Sequence, residues 1–359
     1  VTDSPQVART APVGPTRRRT VLPAAPTLIV LAVAVVAVGL YCAGQGQVYI
    51  PYSEVIGSVL HHMGLEIGPL PSHPRGEETL WVVRFPRVIL AALIGAALGC
   101  AGVLMQGVLA NPLAEPGVVG VSSGAAVGAS AAFVAGGFFA SGLPLVAAGF
   151  LGGVITAAGV YLLAVKDGRA AVITIVLTGI AVNAFAGGLI ALMTFIASPT
   201  ARDQIVFWQL GSLNAASWEA VWIVGAIVAI GVPAAWLLAR RLDLLALGEA
   251  QAAGLGIDVD KLRRTAMVLV AVLVAGAVSF TGIVMFVGLV VPHLLRMIVG
   301  PAHRVLVPAS ALGGALILLI SDLVARTLVG GADLPLGMVT ALVGAPVFFV
   351  LLRKRAHGW

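Results

Sequence analysis

Few side chains in this sequence can do chemistry, and their types favour recognition over catalysis. Arg84 and Arg87 stand in the run Arg84-Phe-Pro-Arg87, and Arg326 follows Asp322 by four residues. A guanidinium presents a planar fork of donors that holds a carboxylate at two points, and a carboxylate one helical turn away sets its rotamer. Arginines at helix ends can also simply reach the headgroups of a membrane. The lysines are Lys166, Lys261 and Lys354, and none has the Gly-Lys-Ser/Thr context with which a phosphate-binding loop holds a nucleotide. No Ser/His/Asp or Cys/His arrangement, His-Glu-x-x-His or Cys-x-x-Cys occurs, so the residues indicate no reaction on a substrate and no metal held by this chain. His61, His62, Met63 and His73 share one segment, and His or Met could ligate haem iron. Adjacent histidines point in different directions on a helix, which argues against a shared metal.

The elements that must position these groups follow from composition. Of 359 residues, 60% are hydrophobic and 10% charged, whereas a soluble domain carries about 25% charged residues. Apolar runs of about 20 residues cross the hydrocarbon core as helices, because only a helix or a closed barrel satisfies the backbone there. The runs are continuous rather than alternating, which excludes a barrel. The expected fold is therefore an all-α polytopic membrane protein with about ten transmembrane helices, near residues 27–43, 87–109, 117–140, 143–165, 170–197, 217–239, 263–282, 286–299, 305–328 and 336–352. Residues 1–26, rich in Pro, Thr and Arg, read as a disordered tail. Residues 27–355 read as one membrane domain. Cys42 and Cys100 each fall within or at the end of an apolar run, with no sign of a disulfide framework.

The net charge of +6 does not mark a nucleic-acid surface, because the basic residues are dispersed. Of 21 Lys and Arg, all but Arg75, Arg84, Arg87, Arg202 and Arg326 fall in gaps that one topology places in the cytoplasm, with both termini there. That bias also divides residues 265–299. Basic residues bracket the run at both ends, so the chain goes out and returns, with Gly282 and Gly288 offering the turn. An offset of 180 residues superposes Gly102 on Gly282, Met105 on Met285 and Pro112 on Pro292, which suggests an inverted repeat of five helices per half.

Between the sixth and seventh spans, residues 242–262 contain Leu242-Asp-Leu-Leu-Ala-Leu-Gly-Glu249 and Ala253-Gly-Leu-Gly-Ile-Asp258. Apolar residues at helical spacing with charged ends predict one or two short amphipathic helices, which could lie in the membrane interface. The second span places Gly95, Gly99, Gly102 and Gly107 three to five residues apart, a pattern for close helix packing. Asn183, Thr194, Ser198 and Thr200, on the fifth span and its outer end, could line a pathway or bond to neighbouring helices.

Two blocks narrow the class. The first runs from Arg84-Phe-Pro-Arg87 through Gly95, Gly99, Gly102, Met105-Gln-Gly107 and Asn111-Pro-Leu-Ala-Glu-Pro-Gly117 to Gly120-Val-Ser-Ser-Gly124. The second comprises Gly288-Leu-Val-Val-Pro-His293, His303-Arg304, Asp322-Leu-Val-Ala-Arg326, Leu334-Pro-Leu-Gly337 and Gly344-Ala-Pro346. Over roughly residues 80–355 the chain strongly resembles the FecCD-like permease subunits of ABC importers for siderophores, haem and cobalamin. The resemblance implies the type II importer permease fold and a homodimer, or a pair with a similar permease. It also implies two ATPase subunits that bind the ATP and Mg, so that this chain holds no cofactor, and one extracytoplasmic substrate-binding protein. Residue by residue, it implies docking of the binding protein by Arg84, Arg87 and Arg326. The ATPase contact falls to Leu247, Gly248, Glu249, Gly254, Leu255 and Gly256, and the cytoplasmic gate to Asn111 and Leu113. The family narrows the same mouth with small polar residues ahead of the fifth span, where this chain has Val172-Ile173 and then Thr174.

The resulting expectation is a multi-pass permease of a bacterial cytoplasmic membrane that moves an iron chelate, ferric siderophore or haem, on ATP hydrolysed by its partner. Cobalamin is the alternative cargo. A carrier driven by an ion gradient would want carboxylates at mid-membrane, whereas Glu115, Asp167 and Asp243 are expected at cytoplasmic ends and Asp322 near an outer end.

Overall fold

A computed structural model describes residues 22–46, 48–166, 169–329 and 332–356. The expected tail lies almost wholly outside them, as does Asp167. The chain is helical nearly throughout: α1 (Ala24–Gly44), α2 (Tyr52–His62), α3 (Gly76–Glu78), α4 (Phe85–Val108), α5 (Val121–Ala135), α6 (Gly142–Ala164), α7 (Val172–Ile196), α8 (Pro199–Leu210), α9 (Trp218–Leu245), α10 (Glu249–Gly254), α11 (Val259–Thr281), α12 (Val287–Val299), α13 (His303–Thr327) and α14 (Leu336–Ala356). A π-helical turn, Thr79–Arg84, joins α3 to α4 without a break. The only described strands, Val165–Lys166 and Arg169–Ala170, pair antiparallel between α6 and α7. Among the described residues seven helices are long and apolar enough to span a bilayer, and α5, α12 and the apolar part of α14 are shorter. These ten match the expected spans in order.

Local chemistry sets several boundaries. Ser198 accepts from the Ala201 amide at 3.3 Å ahead of Pro199, Ser217 from Ala220 at 3.2 Å and Asp258 from Lys261 at 2.9 Å, so α8, α9 and α11 begin at side-chain caps. Helix α4 ends at a residue in the left-handed region, Ala110 with φ 48°, and Asn111 N–H donates back to Gln106 O at 3.1 Å.

The expected third span, 117–140, is not one helix. Residues 116–119 form a 3-10 turn, Gly120 takes φ 79°, and α5 then covers 15 residues, about 22 Å at 1.5 Å each. Its counterpart α12 has 13 residues and follows Phe286, a non-glycine at φ 67°. Both are short for a core of about 30 Å. Irregular backbone supplies the rest, tolerated at that depth because it is buried in protein. The turn between α11 and α12 lies at Gly282 and Phe286, while Gly288 sits inside α12, which corrects its expected role.

Helix α4 is the centre of the bundle and packs against α13, α9, α11 and α12. Glycines set the spacing. A Cβ on Gly95 would overlap Gly314 O, one on Gly99 would overlap Ser310 O, and one on Gly102 would overlap Gly288 O. Backbone meets backbone at all three, the close approach that small residues permit where lipid gives no hydrophobic drive. The order of helices allows five per half, but the 180-residue register does not hold. Gly102 lies six residues before the end of α4, whereas Gly282 caps α11.

Gly95→Val should therefore destabilise the purified protein by about 1–3 kcal/mol, the range for an overpacked core, lowering its midpoint of thermal unfolding in detergent. Gly159→Val on α6, where no atom lies within 4 Å of a built Cβ, should leave the midpoint nearly unchanged.

Candidate functional site at the two ends of the bundle

The first cluster forms where α1 ends, α4 begins and α13 ends. Asp322, 1% exposed, sits between two guanidiniums: Arg87 Nε donates to Oδ1 at 2.9 Å, and Arg326 Nε pairs with Oδ2 at 3.0 Å. Arg87 Nη1 also donates to Asn214 Oδ1 at 3.0 Å and Asp333 Oδ2 at 2.8 Å. Arg326 donates onward to Gln45 O at 3.0 Å and Cys42 O at 3.2 Å. Arg84 donates to Ala43 O at 2.8 Å, to Gly44 O at 3.0 Å and to Val48 O. Two arginines thus satisfy carbonyls at the C-terminal end of α1, where the helix presents unpaired acceptors and partial negative charge.

The sequence pairs Asp322 with Arg326, and the structure agrees. All three guanidiniums are largely buried and already engaged within the chain. Arg84 is 6% exposed, and the side chains of Arg87 and Arg326 are 12% and 8% exposed. Asp333 and Asn214, absent from the sequence reading, complete the cluster; a carboxylate between Ala332 and Leu334 and an Asn between Leu213 and Ala215 carry no periodic signal.

Nearby, the His and Met residues that could ligate haem iron have other surroundings. His62 stacks on Trp81 with ring centres 3.7 Å apart, His61 Nε2 lies 3.1 Å from Gly68 O, and His73 Nδ1 accepts from Arg75 N at 3.3 Å. Met63 is exposed beside them. Among the described residues no group of three metal-ligating acids, thiols or imidazoles forms.

At the opposite end, α9 runs on to Leu245, so residues 242–245 continue a spanning helix rather than open the amphipathic stretch. One six-residue helix, α10, follows. Gly248 at φ 113° precedes it, Glu249 is its first residue, Gly254 its last, and Gly256 turns the chain at φ 82°. Leu247 and Leu255 flank α10 and are 61% and 59% exposed, while Ala252 is fully buried beneath. Two large apolar side chains are thus left uncovered on a loop outside the spanning segments. Asp243 closes this end from α9, accepting from His303 N at 2.9 Å and lying 2.6 Å from its Nδ1.

The gate candidates lie on a re-entrant segment. Asn111 is exposed and its Oδ1 accepts from Leu113 N at 3.0 Å; Leu113 is half-buried. The chain then climbs back along α4, since Pro116 lies against Gly288, which itself meets Leu98 O. Glu115 is carried inward with it, and its Oε1 accepts from Phe286 N at 3.4 Å ahead of α12. That corrects its expected place at the cytoplasmic end. Asn183 on α7 is half-buried: its Nδ2 donates to Gly117 O at 3.2 Å, and its Oδ1 accepts from Ser123 at 2.5 Å. Of the other lining candidates, Thr194 donates to Ile190 O at 2.7 Å and Ser198 caps α8, while Thr200 is exposed. Asn183, Thr194 and Ser198 are engaged within the chain, and Ser198 and Thr200 are exposed.

Residues 31–354 match the FecCD transport family. The cobalamin import system permease BtuC of Halobacterium salinarum is 41% identical over 275 residues, 76% of this chain and 73% of that protein. The hemin transport system permease HmuU of Yersinia pestis is 38% identical over 77% of this chain and 84% of its own. An uncharacterized ABC transporter permease of Bacillus subtilis, YvrB, is 36% identical over 91% and 92%. Among solved structures, an inward-facing ABC transporter described as of metal-chelate type superposes with TM-score 0.80 at 32% identity, covering 92% of this chain and 99% of that one.

The arginine cluster makes a direct prediction. Asp322→Ala leaves two inward-facing guanidiniums without their shared carboxylate, and breaking a buried pair costs about 3–5 kcal/mol. Its thermal midpoint in detergent should fall well below that of Asp333→Ala, whose partly exposed carboxylate touches only Arg87; equal midpoints would contradict the central place given to Asp322.

Proposed function

Because the chain belongs to the FecCD transport family and is a polytopic permease of an ABC importer, we propose that its cargo is an iron chelate, ferric siderophore or haem. The observation that carries the ATP-driven reading is the α10 surface. Leu247 and Leu255 are exposed on a rigid turn outside the spanning segments, and docking an ATPase would cover them. The end bearing α10 is then cytoplasmic, as the dispersed basic residues also argue, and the arginine cluster lies outside. There it shapes the face for a binding protein by holding α1, α4 and α13 together. Asn214 and Asp333 are its exposed rim. Direct pairing of Arg87 or Arg326 with a partner's carboxylate would compete with Asp322.

A second copy of this chain, or a related permease, would enclose the path, with Asn111 and Leu113 at its cytoplasmic mouth and α7, Thr200 included, along it. The exposed residues of α7 include Ile173, Leu177, Ile180, Phe185 and Leu192. Such a wall admits a bulky ligand without reading its polar groups, so selectivity falls to the binding protein. Cobalamin is the second reading, favoured by the similarity to the Halobacterium cobalamin permease. A gradient-driven carrier does not suit an ABC importer family.

The deciding experiment reconstitutes the permease with its co-purifying ATPase and binding protein in liposomes, offering haem, a ferric hydroxamate and cobalamin in turn. ATP-dependent uptake of haem or the ferric hydroxamate is expected. Uptake of cobalamin alone would establish the second reading, and uptake persisting without the ATPase would overturn both. Leu247→Asp with Leu255→Asp should abolish co-purification of the ATPase while the permease stays folded, since both side chains are exposed.

A further inference from the structure

Arg263 enters the sequence reading only as one of many basic residues near a helix end, yet its side chain is 3% exposed and both of its terminal nitrogens are engaged. It lies one turn into α11. Its Nη2 donates to Glu249 Oε1 at 2.7 Å, on the first residue of α10. Its Nη1 donates to Ala170 O at 2.6 Å, on the short hairpin that leads into α7. Asp260, one turn earlier on α11, completes the grip: its Oδ1 accepts from Ala170 N at 3.4 Å and lies 3.9 Å from Arg263 Nη1. Ala170 is therefore held through both its carbonyl and its amide, two residues before α7 starts, and it is 1% exposed.

We infer that Arg263 is the positioning residue that ties α10 to α7, so that displacement of α10 by the ATPase moves the N-terminal end of α7. This rests on the importer reading above. Three features support it. Glu249 is the exposed end of the link, with a side chain 61% exposed, on the surface where the ATPase would act, while the other end is buried backbone. The contacts are charge-assisted and two-pointed, so the guanidinium transmits direction as well as proximity. Finally, α7 has its own grip on the re-entrant segment. A Cβ on Gly179 would overlap Val118 O, and Asn183 holds Gly117 O. The path from α10 therefore runs through Glu249, Arg263, Ala170 and α7 to the segment that carries Asn111 and Leu113. It is a chain of short polar contacts between rigid pieces, the form in which mechanical coupling between distant sites is physically carried. Arg263 touches neither cargo nor nucleotide on this path.

The test measures ligand imported per ATP hydrolysed in proteoliposomes, for wild type, Arg263→Gln and Arg263→Lys, with haem, a ferric hydroxamate or cobalamin as the probe according to which one the wild type takes up. Arg263→Gln should import about tenfold less per ATP, within the span of measured coupling effects. Arg263→Lys keeps the charge but lacks the fork, and should fall between the two. The charge-reversed pair Glu249→Arg with Arg263→Glu should recover part of the ratio lost in Arg263→Glu alone, and the ratio in Arg263→Gln should fall while its thermal midpoint stays near that of wild type, which a purely structural role would not produce. A wild-type ratio in Arg263→Gln would overturn the inference while leaving the importer intact. If Arg263→Gln does not assemble with the ATPase, the ratio in Arg263→Lys decides: an unchanged ratio overturns the inference, and a lowered one supports it. Absence of ATP-dependent uptake by the wild type would instead be a failure of the importer reading.

Discussion

The contact on which the rest of the bundle depends is backbone against backbone along α4. Gly95 and Gly99 lie on Gly314 and Ser310 of α13, and Gly102 lies on Gly288 of α12. In a bilayer the lipid tails compete with apolar side chains on equal terms, so helices gain little from burying leucine. What they gain comes from close packing and from the polar contacts it allows. Because three helices meet with no side chain between them, the ends of α1 and α13 are brought close enough to α4 for Arg84, Arg87 and Arg326 to find their acceptors. The ion cluster is thus a consequence of the glycine contacts, and it fixes how α1 is docked.

The same contacts explain why two spans are short. Helix α12 can lie against Gly102 only if its N-terminal end stops inside the bundle, and there the chain must supply donors and acceptors for open backbone. Glu115 does so from outside α12, accepting from Phe286 N. The price is left-handed backbone at Phe286, a conformation a bulky residue rarely adopts. The arrangement puts two irregular segments, residues 110–120 and 282–286, against each other beside α4, which makes this the part of the bundle least held by regular helix bonds. A permease needs a region that can rearrange without unravelling its spans, and this pair has that character.

What the sequence made legible follows from which signals are periodic or local. Ten spans, their order and the break between α11 and α12 came from apolar length and from the sign of charge at each gap, both properties of single segments. The pairing of Asp322 with Arg326 came from one-turn spacing, and the short amphipathic element from its leucines. Glu115 was misplaced because a residue after a helix end looks cytoplasmic whether the chain leaves the membrane or folds back into it. The partners of Arg84 were not legible for a related reason: an arginine at a helix end looks the same whether it faces solvent or caps a neighbouring helix. Asp333, Asn214 and Arg263 act through partners tens to hundreds of residues away, which no local pattern encodes.

Charge is arranged differently at the two ends, and the difference bears on how force could pass between them. At the arginine end each guanidinium is bound by several acceptors from α1, α13 and the loops, and Asp322 is shared between two of them. Such a network resists displacement in any direction, because moving one helix breaks bonds to two others. At the other end Arg263 has one exposed carboxylate on one side and one buried backbone unit on the other, with Asp260 bracing the backbone. A linear arrangement of that kind yields along its own axis and transmits. The α9 end, against which α10 also packs, is tied in addition to α13 by Asp243 on His303. One end therefore holds three helices in register, and the other joins a short helix to α11 and, through Arg263, to the segment that leads into α7. On the coupling inferred above, that asymmetry would let the α10 end move against a fixed frame.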